Sequence, residues 1–550
     1  MKKFVGQYAL VTMLLMKSLA SDAQRLEEIT VIGVVPAGSS IDATKLAYPI
    51  QTANAEDLDS ASILNIADFL RQNFSSVSVN DAQNNPMQPD IQYRGFTASP
   101  LLGLAQGLAV YQNGARINEP LGDTVNWDLL PQSAIETLTL GGGANPLYGL
   151  NSLGGALVIE MKNGFTFEGA NLEVSAGSFG RTVSNFEIGG NNGEFAFYAN
   201  VEYFDEDGWR DYSSSDAINF YGSLGWRKEN TEINLNFQHG QSELTGNGAA
   251  PIELIDLRRE AIFTGPDITE NDMDMFGVDF SHEFNSKISF SGNIFYRENS
   301  TDAFNGDGSE FGVCSFNGSE SLIEGLEEDD LEEIGLDDDD VCDSQFGNSN
   351  LMENFLNSTA QALNSDDTFN IELFDGDELS GTGILSDDAI NNLSSRNQES
   401  TGADFQFTVV DEFLGMANQL VVGGSYFNGE SKFDSVLELA NINPLTRLTT
   451  SLGTGTFVDE AATLISTQTE SFSIYFSNIL DLTESISLTA SARANKTEVD
   501  LRDKSGERPE LNGNHTFSRL NPSLGLTWQV SEDHNCLLYT SDAADESSSG

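Results

Sequence analysis

The residue types that most often carry chemistry are few and scattered in this chain. Its histidines are His239, His282, His515 and His534, and its cysteines are Cys314, Cys342 and Cys536. They form no Cys/His/carboxylate spacing suited to zinc and no Ser/His/Asp arrangement with a catalytic motif, which argues against an enzyme. Cys314 and Cys342 are placed differently, because they bracket a run of acid. Between Arg297 and Arg396 there is no Lys or Arg but 26 Asp and Glu, 12 of them within residues 324–343. A block of like charge reads as a solvated, self-repelling surface, with loose binding of divalent cations as its functional alternative. Asp375-Gly376-Asp377 and Asn305-Gly306-Asp307-Gly308 fall short of a calcium-loop spacing.

Charge and hydropathy narrow the setting. The chain carries 26 Lys and Arg against 85 Asp and Glu, a net charge of −59, whereas phosphate binding needs clustered bases, so nucleic acid is excluded as a partner. Residues 1–23 hold Lys2 and Lys3, an apolar stretch over 4–16 and the small residues Ser18 and Ala20, the pattern of a secretory signal peptide. After it, no apolar run in the sequence approaches the ~20 residues of a membrane helix, so a membrane protein would have to cross with strands. Export makes a Cys314–Cys342 disulfide feasible, and closing a loop of that size contributes about 3.5 kcal/mol on the chain-entropy account.

Two kinds of element follow. Residues 91–161 place a short apolar strand and an Arg-Gly-Phe step before a turn-rich segment. A hairpin signal at Asn113-Gly114, a strand over 135–140, a Gly141-Gly142-Gly143 run and a final apolar strand over 156–159 come next. Ahead of them, residues 61–73 put Ile63, Ile66, Ala67 and Leu70 on one helical face, with Asp59 or Ser60 as cap. From Ala170 the apolar period becomes two, in strands of about ten residues with aromatic ends; twelve are expected, from Leu172 to Val530. Their connections alternate between short turns and long loops, the longest over 299–398, which distinguishes a transmembrane barrel from a soluble sandwich.

Taken in order, Tyr93-Arg94-Gly95-Phe96, Val110-Tyr111-Gln112-Asn113-Gly114, Gly149 and Gly154-Gly155-Ala156 followed by a strand resemble the plug domain of TonB-dependent outer-membrane receptors. With its flanks the resemblance covers residues 25 to about 530. It implies a membrane all-β fold: a transmembrane antiparallel β-barrel with an N-terminal α+β plug domain in the lumen. Residues 24–40 then hold a TonB box and linker, 41–165 the plug and 166–533 the N-terminal part of the barrel. Glu27, Glu28, Ile29, Thr30 and Val31 look like the box that pairs by strand addition with TonB and its inner-membrane energising complex. Arg94, Gly95, Phe96, Gly154 and Gly155 are the plug motif.

The resemblance implies energy-coupled uptake of a scarce ligand: a ferric siderophore or other metal chelate, cobalamin or a saccharide, with no cofactor. Ligand contacts are expected from plug-apex loops, with Tyr111, Asn113, Arg116, Asn118 and Trp127 as candidates and plug packing as their alternative role. The acidic loop over 298–395 could bind divalent cations and bridge to lipopolysaccharide. The box follows the signal peptide closely, so a transporter is expected rather than a transporter with an added sensor domain. A passive porin or adhesin barrel is the competing class. The family closes with twenty-two strands, so the sequence reads as truncated, with residues 534–550 a non-native tail where a thirteenth strand should begin and the wall left as a curved, unclosed sheet.

Overall fold

The computed structural model describes residues 29–31, 40–42, 45–60, 65–81, 83–143, 145–308, 311–316, 319–324, 368–372, 378–382, 389–443, 445–451, 457–506, 508–531 and 534–541. The expected signal peptide, Glu27, Glu28 and Cys342 lie outside them.

The N-terminal domain is built on a mixed sheet of five strands. Their order is Ile50–Asn54, Ile135–Gly142, Gly155–Met161, Leu108–Gln112 and Ala115–Arg116. Gly155–Met161 runs parallel to Leu108–Gln112 and antiparallel to Ile135–Gly142. Such a strand is buried on both faces, which is why 156–159 reads as an unbroken apolar run. Asn113 (φ +46°) and Gly114 (φ +79°) form the tight hairpin turn that their sequence predicts, since both central positions need positive φ. Trp127, Leu130, Ile135 and Leu138 are at most 2% exposed, and each buried side chain of this kind stabilises the domain by roughly 1.5–3 kcal/mol.

The expected helix is shorter than its pattern. It spans Ile66–Asn73 and is capped by Asn65, whose Oδ1 accepts from the Asp68 amide at 2.8 Å. Asp59 and Ser60 instead end a separate helix, Ala55–Ser60. Ile66, Ala67 and Leu70 face the core as expected.

Among the described residues the main path of the wall runs through thirteen strands, each antiparallel to the next. They are β1 Gly169–Ala176, β2 Thr182–Asn191, β3 Phe195–Glu206, β4 Ser215–Lys228, β5 Thr231–Gly246, β6 Asp267–Asn285 and β7 Ile288–Gly308. After the acidic loop come β8 Ala389–Phe413, β9 Met416–Ile442, β10 Phe457–Thr483, β11 Ile486–Asp503, β12 Gly513–Ser531 and β13 His534–Ser541. The first twelve coincide with the alternating segments of the sequence. Among the described residues no ladder joins β1 to β13, so the sheet is unclosed, as expected.

Two expectations are corrected. β13 continues the wall through residues assigned to a tail, pairing Leu538 with Leu526 and Thr540 with Leu524. Its alternation is lost because inward Tyr539 meets the plug rather than water, accepting a hydrogen bond from Arg94 Nη1 at 3.3 Å. β9 and β10 are 27 residues long, roughly 90 Å at the rise of a strand, far beyond an apolar band about 25 Å tall. Above that band the outward positions of β9 turn polar, at Asn428, Glu430, Lys432 and Asp434, so the lipid-facing alternation stops there although the ladder continues.

Outward residues are apolar and exposed, among them Phe197, Leu224, Phe276 and Phe472, while inward neighbours such as Asn200, Ser223, Asn271 and Ser473 are polar and buried. This is the inverse of a water-soluble protein and suits lipid outside and a polar plug inside. Tyr296 and Tyr426 mark the upper border of the band, their hydroxyls donating to Glu298 at 3.0 Å and Glu470 at 3.1 Å. The short turns, at 192–194, 229–230 and 484–485 for example, lie on one rim and the long connections on the other.

Candidate functional site

The plug motif is one packing device assembled from distant residues. Arg94 (φ +54°) and Gly95 (φ +87°) turn the chain between strands Asp90–Tyr93 and Phe96–Ala98. The turn brings Phe96 between Gly107 and Gly154. A Cβ on Gly107 would sit 2.7 Å from Phe96 Cδ1, and one on Gly154 only 2.5 Å from Phe96 Cβ. Gly155, at φ +141°, has a conformation and a proximity to the Gly141 carbonyl that exclude a side chain.

The five candidate ligand residues all have partners inside the plug or at its seam with the wall. The Tyr111 hydroxyl accepts from the Gly149 amide at 3.0 Å. Asn113 accepts from Met161 N at 2.9 Å and donates to the Tyr221 hydroxyl at 3.0 Å. Arg116 pairs with Asp123 at 2.9 Å, and Asn118 bridges Val110 N at 2.7 Å and Leu108 O at 3.2 Å. Trp127 Nε1 donates to Ala98 O at 3.2 Å. Four of them are buried and Asn113 is partly so, the geometry of a framework that holds the apical loops in shape.

What sequence reading missed is the wall's share. Arg297 on β7 meets Glu119 at 2.7 Å, and Asn126 and Asn299 also donate to that carboxylate, at 3.2 and 2.9 Å. Asp128 accepts from Ser242 at 2.6 Å and Asn271 at 2.9 Å, and burial holds its carboxyl above the usual carboxylate range. Lys162 pairs with Glu187 of β2 at 3.0 Å. The signal was present in the sequence as a polar residue at the inward parity of a strand, as with Arg297 after Tyr296 or Arg493 between Ala492 and Ala494.

On the long-loop rim, plug and wall enclose a cavity of about 300 Å3 bounded by Asn84, Arg71, Arg181, Glu206 and Trp209. Four of its charges are paired, Arg71–Asp68 at 2.5 Å and Arg181–Glu206 at 2.6 Å, and Asp81 adds one further carboxylate beside the amide and aromatic surface. Near the N-terminus, Ile29–Val31 forms a short antiparallel ladder with Ser40–Asp42. Cys314 lies in a hairpin of Phe311–Phe316 with Ser319–Glu324; its expected bond to Cys342 falls outside the described residues.

Comparison with known proteins agrees with this architecture. A family model of the TonB-dependent receptor plug domain matches residues 42–156, and one of the TonB-dependent receptor-like β-barrel matches residues 208–541. No curated protein matches the chain. Among solved structures, the unliganded ferric citrate transporter FecA aligns with TM-score 0.62 at 12% identity, over 90% of this chain and 62% of that one. FpvA of P. aeruginosa, solved bound to heterologous pyoverdines, gives 0.62 at 14%, over 92% and 59%. The ferric-catecholate import receptor Fiu of E. coli K12 gives 0.61 at 13%, over 91% and 70%. At such identities the likeness is one of fold, and the chain spans about three-fifths of the length of the first two. The two family models together account for most of the chain, which belongs to the TonB-dependent receptors of the outer membrane.

Proposed function

We propose that the chain serves energy-coupled uptake of a scarce ligand across the outer membrane, with ferric siderophores and other metal chelates foremost and cobalamin or a saccharide as remaining classes. One observation carries this reading over a passive porin or adhesin. The plug lies inside the wall and is tied to it by buried ion pairs, Arg297–Glu119 and Lys162–Glu187. A ligand can pass only if the plug is displaced, and the work for that must be supplied from outside the chain. TonB, with its inner-membrane energising complex, is the supplier, through strand addition to residues 27–31. The three-residue ladder of Ile29–Val31 with Ser40–Asp42 supports this, since so short a pairing is marginal and exchangeable for a partner strand.

The choice of chelates rests on the ligands for which the structural neighbours are named, ferric citrate, pyoverdine and ferric catecholates. The rim cavity bounded by Arg71 and Trp209 is the compartment in which such a ligand first meets both plug and wall. The acidic connection between β7 and β8, the part of 298–395 outside those strands, takes divalent cations that bridge it to lipopolysaccharide.

The test is Ile29→Pro and Val31→Pro in the full-length protein, because proline removes a ladder donor and fixes an unsuitable backbone. Growth on a limiting ferric chelate is expected to be lost while the chelate still binds to the cell surface. Undiminished energy-dependent uptake by both variants would overturn the box assignment.

A further inference from the structure

The plug is held unevenly by its wall. Towards β2–β7 it is clamped by the two buried ion pairs and by short bonds to its backbone, Gln238 to Leu129 O at 2.6 Å and Asn219 to Asp128 O at 2.8 Å. Towards β9–β12 the bonds are longer. Arg493 Nη1 donates to Leu147 O at 3.4 Å, and Thr527 Oγ1 to Lys45 O at 3.3 Å. The pair Lys45–Asp481, at 2.8 Å, is partly exposed and therefore weak.

Two small cavities with polar groups in their linings lie on that looser side. One, of about 30 Å3, is bounded by Tyr111, Gly149, Asp404, Ser473 and Arg493. The other, of about 20 Å3 and nearer the N-terminal tether, is bounded by Ala47, Asn145, Thr489, Ser491 and Gly525. Plug residues 145–149 thus reach from one to the other. Gln406, Gly423, Tyr475 and Arg493 form a single cross-strand rung beside them. Both amide atoms of Gln406, itself 1% exposed, and the hydroxyls of Tyr475 and Thr489 have no hydrogen-bond partner within the protein. A buried polar group in that condition costs about 1–3 kcal/mol unless something polar reaches it.

We propose that the ligand's passage opens along the inner faces of β9–β12, and that plug residues 145–149, latched by Arg493, are its gate. The proposal rests on the uptake reading. Leu46 connects the gate to the tether: it is buried in one cluster with Leu147, Val421, Tyr475 and Ile479. Traction on the N-terminus draws Leu46 from beneath Leu147, after which the Arg493 hydrogen bond, the Tyr111 contact to Gly149 and the packing of Tyr148 against Ala109, Tyr111, Ala156 and Val158 hold the segment. The partnerless amide and hydroxyls then meet the guest, which makes it hydrophilic and rich in hydroxyl or carboxylate oxygen.

The experiment places single cysteines in the full-length protein, Ser491→Cys on the looser side and Ser223→Cys on the clamped side, with Cys314, Cys342 and Cys536 replaced by Ser. A membrane-impermeant maleimide is added to intact cells with and without collapse of the proton-motive force. Energised cells are expected to label Ser491→Cys several-fold faster and Ser223→Cys no faster. Adding Arg493→Ala should make Ser491→Cys reactive without energy, whereas Arg493→Lys should not. Faster labelling at Ser223→Cys, equal labelling at both sites, or continued protection of Ser491→Cys during energy-dependent uptake overturns the passage alone. Uptake that proceeds without the proton-motive force overturns the uptake reading instead.

Discussion

Arg297 and Glu119 lie 2.7 Å apart at the centre of the molecule, one on the wall and one on the plug, with side chains only 5% and 0% exposed. Glu119 Oε1 takes the guanidinium together with the amides of Asn126 and Asn299, and Oε2 has no hydrogen-bond partner, so Arg297 is the one charged group bonded to this buried carboxylate. Removing one member of a buried pair strands the other charge and costs about 3–5 kcal/mol, whereas removing both costs much less. Arg297→Met is therefore expected to loosen the plug strongly, and Arg297→Met with Glu119→Gln to restore most of the loss. Protease protection of the plug in detergent-extracted full-length protein measures this. Equal losses in the single and double variants would falsify the coupling.

The contact between Phe96 and Gly154 predicts the same kind of coupling with opposite steric sign. Gly154→Ala places a methyl group against the Phe96 side chain, and overpacking of this kind costs about 1–3 kcal/mol. Phe96→Leu should lower stability alone yet recover part of the loss when added to Gly154→Ala. Urea unfolding of the four proteins gives the coupling energy. Strict additivity would show that the ring and the glycine act independently.

These couplings mark the boundary of what the sequence reveals. The twelve alternating strands, the Asn113-Gly114 hairpin and the glycines around Phe96 are legible because local period and backbone preference specify them. The upper halves of β9 and β10 are not, since above the lipid the outward positions become polar, as at Glu430, Lys432 and Asp434 of β9, and the lipid-facing alternation stops while the backbone ladder persists. Strand β13 was hidden by Tyr539, an inward aromatic explained only by the plug beneath it. The site was legible as a place and not as a set of residues. Tyr111, Asn118 and Trp127 hold the plug's own loops, and the wall partners Arg297 and Arg493 are brought to it by pairings far apart in sequence.

Asp128 should make plug stability depend on pH. Burial raises its carboxyl above the usual range, so between the unfolded value and the raised folded value the native plug binds the proton that the unfolded chain releases. Stability from this group is then fully present below the unfolded pKa and is lost as pH rises through the folded one. Asp128→Asn keeps an oxygen for Ser242 and Asn271 and removes the ionisation, so it should flatten the fall in plug stability above the carboxylate range. Proteolysis rates across pH test this. An unchanged slope in the variant would assign the dependence to other groups.

The orientation of the wall is tested where the outward face is most apolar. Phe276 is 52% exposed and pairs with Phe237, which pairs with Gly222, a rung midway between the Phe195–Trp226 rung and the Tyr203–Ile218 rung. The same rung continues to Tyr296, so the position lies inside the lipid band just below its upper border, where an arginine costs between the about 2–4 kcal/mol of the midplane and the about 0–1 kcal/mol of the interfaces. Asp272, four residues further up the same face and opposite Ser300, lies above that border, where Gln241 donates to it at 2.6 Å. Phe276→Arg is expected to lower the yield of heat-resistant full-length protein in the outer membrane, and Asp272→Arg to leave it nearly unchanged. If Phe276→Arg is tolerated as well as Asp272→Arg, then β6 does not present this face to lipid, and the assignment of inward and outward residues reverses along every strand paired in register with it.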